Sequence, residues 1–269
     1  MQRPDLESFA GFADSLADAS GAIIREALAN QRDFLTKDDA SPVTEIDRRV
    51  EARLREEITR RYPGHGILGE EFESAGLDAE WVWVIDPIDG TKAFITGIPT
   101  FGTLVALAYR GVPVLGVIDN PVTRERWIGA DGVPSTLNGR PIRTRACTEL
   151  TNAILANGNP EPFDAAEQAA FQDLRSQTRW CVYGGGCHAY GRVADGALDI
   201  STDGGLDAFD YCALAPIVRN AGGAISTWQG EELTIRSGRQ AIAASATPAL
   251  HEQVLACLAT QAPIQRASR

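Results

Sequence analysis

The stretch WVWVIDPIDGTKAF, residues 81–94, constrains this chain more than any other. Val82, Val84 and Ile85 with Trp81 and Trp83 read as a short buried strand, because β-branched and aromatic side chains suit a packed, pleated surface. Asp86 then stands at the strand's end. Pro87 has no N–H to give a sheet ladder and forces irregular backbone, so Asp86, the nearby free carbonyls and Asp89 can converge on one point. Convergent oxygen atoms suggest a hard cation. A plain strand followed by an Asp-Gly turn reads equally well from this string alone, so the rest of the chain has to decide.

With 269 residues, 44% of them hydrophobic, the chain can bury a large core as one domain or as two packed halves. No apolar run approaches the ~20 residues of a membrane span. Asp5 and Glu7 stand where a signal peptide would carry positive charge, so a cytoplasmic protein is expected. The five cysteines are scattered without a C-x-x-C pair, which argues against a disulfide framework or a zinc ribbon. Three widely spaced histidines without H-E-x-x-H argue against a His-ligated zinc. A formal charge of −11 disfavours unspecific binding to nucleic acid or anionic membrane. An anionic substrate would be repelled by clustered carboxylates unless a bound metal reversed the local sign.

Leu6, Phe9, Ala13, Leu16, Ile23 and Ala27 recur at helical spacing over 5–29, and Ile46, Val50, Leu54 and Ile58 do so after Pro42, ending at YPGHG. Residues 102–118 predict two strands joined at Arg110 and Gly111, and short strand-like pieces follow around Trp127 and 141–144. Beyond about 150, strands and helices alternate: AILA, a helix over 162–176, RWCVY, a Gly-rich turn and helix, ALDIS, a helix over 208–221, further strands and a helix over 247–260. The expectation is an α/β protein with an α+β half over 1–145 and an α/β half over 146–269. The tail QAPIQRASR is expected to fray.

Acidic residues fall at element ends in four places: Asp47, Glu70 with Glu71, Asp86 with Asp89, and Asp210. Each has an ordinary explanation. Thr44 to Asp47 fits a capping box, Asp210 can complement a helix dipole, and the glutamates can be solvated loop charges. Together they suit Mg²⁺, which takes an octahedral shell of carboxylates, carbonyls and waters; phosphoryl chemistry often uses two such ions ~3.5–4 Å apart. One carboxylate then bridges. Asp86 is the natural bridge, with Glu70 and the Ile88 carbonyl on one ion and Asp89 and Asp210 on the other. Gly90 and Thr91 follow, and TKAFI can start a helix whose first amides point at a phosphate.

In this order, GEE at 69–71, DPIDGT at 86–91 and FDYCALAPIVRNAGG at 209–223, with Lys37 and SPVTEID at 41–47, resemble the inositol monophosphatase superfamily of metal-dependent, lithium-sensitive phosphatases. The resemblance runs from roughly 5 to 260. It implies a layered α/β/α/β/α sandwich, commonly dimeric, with Mg²⁺ (two or three ions) on Glu70, Asp86, the Ile88 carbonyl, Asp89 and Asp210. It also implies that Asp47 and Thr91 orient and deprotonate the attacking water, with Glu70 beside them.

DGTKAFITGIPTFGTLVAL and GVIDNPVTRERWIGA look most like the histidinol-phosphate phosphatase subgroup, which implies hydrolysis of L-histidinol phosphate in histidine biosynthesis. Inositol or other small sugar phosphates are the alternative. Where that subgroup commonly reads G-G-D-C-Y-A-Y, this chain has GGGCHAY, ending at Tyr190. Gly186 replaces an acid and His188 a tyrosine. Substrate contacts are expected from Asp89, Gly90, Thr91, Gly185, Gly186 and Asp203, the last to hold an ammonium or hydroxyl. His188 either joins them or packs beside the turn. A haloacid-dehalogenase reading fits less well, because two residues rather than one separate the aspartates and about eighty precede them. An EF-hand register puts Ile85 first and Thr96 last, where acidic ligands are needed.

Overall fold

The run at 81–85 shows no polar alternation because it is buried on both faces. Strand geometry sends Val82 and Val84 into one cluster of buried side chains and Trp83 and Ile85 into another. A strand of that kind needs cover on each side of its sheet. The computed structural model describes residues 6–28, 34–36 and 42–259 and shows how the chain supplies it. Lys37, Ser41 and the QAPIQRASR tail lie outside the described residues.

Helices α1 (Leu6–Leu28) and α2 (Glu45–Arg61) bracket an antiparallel pair, β1 (Phe34–Thr36) and β2 (Pro42–Thr44). Then come β3 (Gly66–Gly69), β4 (Trp81–Asp89), the short helix α3 (Thr91–Thr96), β5 (Gly102–Tyr109), β6 (Val112–Asn120), β7 (Glu125–Ala130), β8 (Val133–Leu137) and β9 (Arg140–Pro141). Strands β3 to β9 form a seven-stranded sheet in chain order, parallel at β3–β4 and antiparallel beyond. The chain continues through β10 (Ile154–Asn157), α4 (Ala165–Gln177), β11 (Trp180–Tyr183), α5 (Cys187–Ala194), β12 (Ile200–Leu206), α6 (Ala208–Tyr211), α7 (Leu214–Asn220), β13 (Ala224–Thr227), β14 (Gln240–Ser245) and α8 (Pro248–Leu258). These strands make a five-stranded mixed sheet of order β11-β10-β12-β14-β13.

Three buried clusters stack the layers. Leu16 and Ile24 of α1 with Val50, Leu54 and Ile58 of α2 meet Trp83, Ile85, Val105 and Leu107 on the outer face of the first sheet. On its inner face Val82, Val84 and Ile118 meet Tyr190, Val193, Tyr211 and Ile217 of α5, α6 and α7, which reach Ile242 and Ala244 of the second sheet. Leu155, Ile200 and Ala243 then pack against Phe171 and Leu174 of α4 and Leu250 and Val254 of α8. The order is α/β/α/β/α, as expected. Burying each such side chain is worth ~1.5–3 kcal/mol before chain entropy is counted. The central contact is close: a Cβ on Gly116 of β6 would lie 1.9 Å from the Ala213 carbonyl oxygen, and one on Gly129 of β7 would lie 2.4 Å from Ile217 Cα. Among the described residues no helix is long and apolar enough to cross a membrane.

The structure differs from the sequence reading at several boundaries. Strand β4 continues through Pro87 to Asp89 instead of stopping at Asp86. The helix expected over 208–221 is two helices, because Pro216 has no N–H to bond back to the Cys212 carbonyl. β12 starts at Ile200, since Leu198 still donates to the Arg192 carbonyl at the end of α5. β8 was not anticipated, and of the strand-like piece at 141–144 only Pro141 is in a strand, β9.

His251 on α8 is buried between two serines, its Nε2 2.8 Å from Ser226 Oγ and its Nδ1 3.0 Å from Ser245 Oγ. Burial pulls its pKa down to about 4. The folded state therefore resists protonation while the unfolded chain accepts a proton near 6.5, so the contribution of His251 is complete above pH 6.5 and is lost as pH falls to about 4. The loss should be of order 3 kcal/mol. Urea unfolding of the native protein and of His251→Gln should show this loss as the difference between the two, because the buried carboxylates with raised pKa slope the other way in both proteins: the advantage of the native protein should shrink as pH falls from 6.5 to 4.

Candidate metal centre

An uninterrupted strand would send Asp86 and Asp89 to opposite faces, since residues three apart alternate. Asp86 pairs with Leu104 and Asp89 with Gly102, so β4 carries one more residue than β5 between those pairs. That bulge restores both aspartates to one side. Pro87 sits within it, where no ladder N–H is required; its carbonyl accepts from Thr103 Oγ1 at 2.9 Å, and Ile88 N–H turns back to Asp86 Oδ1 at 3.0 Å. Gly90 (φ 86°, ψ 40°) then turns the chain into α3, whose first turn no side chain caps.

Asp210, in the first turn of α6, brings the third carboxylate. One oxygen each from Asp86, Asp89 and Asp210 lie within 4.8 Å of one another. The Asp207 N–H aims Asp210 by donating to its Oδ2 at 2.7 Å, and the Cys187 N–H at the start of α5 donates to Asp89 Oδ2 at 3.0 Å. Glu70, in the loop after β3, lies against Asp86. Burial, then the neighbouring Glu70, Asp89 and Asp210 carboxylates, pushes the Asp86 carboxyl well above its usual range; burial and Asp89 do the same to Asp210. Among the described residues no cation lies within ion-pair distance of these three aspartates. Oxygen-only, like-charged and convergent, the donors fit a hard divalent cation and not one that prefers nitrogen or sulfur.

Asp47 stands in the first turn of α2 with its Oδ2 fixed by the Thr44 amide at 2.7 Å and hydroxyl at 2.5 Å, the reciprocal capping box read from the sequence. Its other oxygen lies 3.5 Å from Thr91 Oγ1, which is itself 3.2 Å from the Ile88 carbonyl. The cap therefore leaves Oδ1 for Thr91. Burial raises the Asp47 pKa, outweighing the Thr44 hydrogen bonds. Glu51, one turn on, was missed by sequence reasoning: it is fully buried, accepts from the Glu71 N–H at 2.7 Å and pairs with Arg55, so it seats the loop bearing Glu70. Its signal is the charged row Asp47, Glu51, Arg55 at four-residue spacing beside the apolar one.

The expected substrate contacts fare differently. Gly186 faces Asp89, and a Cβ there would lie 3.3 Å from Asp89 Oδ2. With φ at +50° as well, an acid at this position would be both strained and repelled. Gly185 is hemmed by Ala189, 2.8 Å from where its Cβ would be. His188 turns away, packing edge-on against Trp127 and pairing its Nε2 with Asn120 Nδ2; burial lowers its pKa, so it is a packed neutral residue. Asp203 is also turned inward. Its Oδ1 accepts from Gly158 N–H (2.7 Å), Asn157 Nδ2 (3.1 Å) and Asn159 N–H (3.3 Å), and its Oδ2 from Tyr190 (2.9 Å). It anchors a loop instead of offering a free carboxylate, and burial lifts its pKa to about 7.

The family model for the inositol monophosphatase family matches residues 5–262. The bifunctional phosphatase IMPL2, chloroplastic, of Arabidopsis thaliana is 42% identical over 90% of this chain and 70% of its own length. A histidinol-phosphatase of Mycobacterium tuberculosis is 36% identical over 82% of this chain and 85% of its own. The solved inositol monophosphatase of Zymomonas mobilis superposes with a TM-score of 0.86 at 38% identity, covering 96% of this chain and all of that one. Sequence, layering and the carboxylate cluster agree, and the chain belongs to the inositol monophosphatase family.

Proposed function

We propose that this protein is a Mg²⁺-dependent phosphatase of small phosphate monoesters acting through a directly attacking water. The convergence of Asp86, Asp89 and Asp210 carries the reading. Those three with Glu70 and the Ile88 carbonyl would hold the ions. When bound, Mg²⁺ supplies positive charge for the phosphoryl oxygens and makes a nearby water more acidic. Thr91 Oγ1 accepts the water's proton while passing its own to Asp47 Oδ1; the raised pKa of Asp47 makes that carboxylate a stronger base. The uncapped start of α3 presents amides to the anionic ester. Lithium inhibition and a homodimer belong to the same reading, checked by inhibition assay and by sedimentation.

Asp86→Asn should cost about 10³-fold or more in kcat, since it removes a ligand charge at nearly constant volume. Asp47→Asn should lose rate while retaining Mg²⁺ binding by calorimetry. Full turnover in excess chelator, or a trapped phosphoaspartate at Asp86 or Asp89, would overturn the mechanism.

L-Histidinol phosphate is the substrate we favour, with inositol monophosphate as the second reading. The runs over 89–107 and 116–130 and the 36% identity to a histidinol-phosphatase support it; the solved inositol monophosphatase at 38% supports the other. Comparing kcat/KM for the two esters decides. A preference for histidinol phosphate of about ten-fold or more, ~1.4 kcal/mol in transition-state binding, is expected, and the reverse preference would establish the inositol reading.

A further inference from the structure

A histidinol ester carries an ammonium on the carbon next to the ester-bearing one, and three residues expected to meet its alcohol cannot supply a free anion: Gly186 has no side chain, His188 is packed away and Asp203 is bonded inward. Resting on the function proposed above, we infer that Glu161 is the residue that reads the ammonium of an amino-alcohol phosphate. The loop leaving β10 passes along the site: a Cβ on Gly158 would lie 2.9 Å from Asp203 Oδ1 and 3.4 Å from the Gly186 nitrogen, and Gly186 in turn faces Asp89. Glu161 rides on that loop and is oriented by it. Its N–H donates to Asn159 Oδ1 at 3.0 Å, and its Oε2 accepts from Asn159 Nδ2 at 3.2 Å.

The same oxygen already holds a primary ammonium. Lys92, the residue after Thr91 in the first turn of α3, places Nζ 3.8 Å from Glu161 Oε2. That contact ties the loop between β10 and α4 to the short helix that opens with Thr91, one of the catalytic pair. Lys92 is 73% and Glu161 77% exposed, so this pair is weak and exchanges readily. A substrate ammonium, delivered with its phosphate fixed at the metal centre, meets Glu161 at a far higher effective concentration than a free amine would and displaces the lysine. A neutral polyol phosphate gains nothing from the exchange. Glu161 thus discriminates by charge at the rim while the phosphate is bound below it.

The test compares ester pairs in the Mg²⁺-loaded full chain. L-Histidinol phosphate is set against inositol 1-phosphate, and ethanolamine phosphate, which has the same ester-to-ammonium spacing, against glycerol 1-phosphate. Glu161→Gln should lower the amino-to-neutral ratio of kcat/KM about ten-fold, the lower end for a hydrogen bond to a charged group. The change should fall mainly in KM and shrink in high salt, while Glu161→Asp retains part of the preference. An unchanged ratio in both pairs overturns the role of Glu161. Poor turnover of histidinol phosphate by the unmodified protein, with a Glu161-dependent preference for ethanolamine phosphate over glycerol phosphate, refutes the named substrate and supports the ammonium-reading residue.

Discussion

Repulsion among carboxylates at the end of β4 is the constraint around which the rest of the structure is built. Asp86, Asp89, Asp210 and Glu70 converge from three parts of the chain, and burial makes the charge of Asp86 and Asp210 still harder to sustain. Folding has to hold these groups together against a force that a bound cation relieves. The main tool is backbone: a one-residue bulge puts two aspartates on one face, a helical cap fixes Asp210, and an amide of α5 fixes Asp89. Backbone positioning suits the task because it adds neutral donors without adding a competing cation.

Rigid layers make that positioning possible. β4 is buried on both faces, so its register cannot slip without moving Trp83 and Val84 between two packed clusters. The α6–α7 segment is pinned by backbone approach at Gly116 and Gly129, which no side chain larger than hydrogen could permit. Asp210 therefore inherits its distance from Asp86 out of the packing of a helix on the first sheet.

The aspartates that the structure brings together, and the Thr44–Asp47 cap, were legible in the sequence because they lie in short strings where local chemistry is decisive: DPIDGT, TEID and FDYC. The helices at 6–28 and 45–61 and the hairpin at Arg110 and Gly111 followed from periodicity and turn residues. The bulge did not. A proline between aspartates signals irregular backbone, but whether the strand stops or continues depends on its partner, and only β5 supplies the Leu104 and Gly102 register. Asp203 and His188 misled for a related reason. An acid and a histidine near glycines look available for substrate, yet Asn157, Tyr190 and Asn120, distant in sequence, occupy them.

The same division explains why overall identity leaves the alcohol open. On the proposed function, the phosphate half of any substrate would meet the carboxylates through ions, and that chemistry is indifferent to what the phosphate is attached to. An acidic protein with a formal charge of −11 attracts an anionic ester only where that sign is reversed, so a bound metal at this centre would govern binding of every substrate alike. On the function we propose, selection among alcohols would fall to residues beyond the ions, and the loops at 158–163 and 184–188 are our candidates for it. A few substitutions there change the partner presented to an ammonium or a hydroxyl without disturbing the layers. Relatives bearing either activity in their names can therefore resemble this chain about equally, and we place the distinction in charges at the rim.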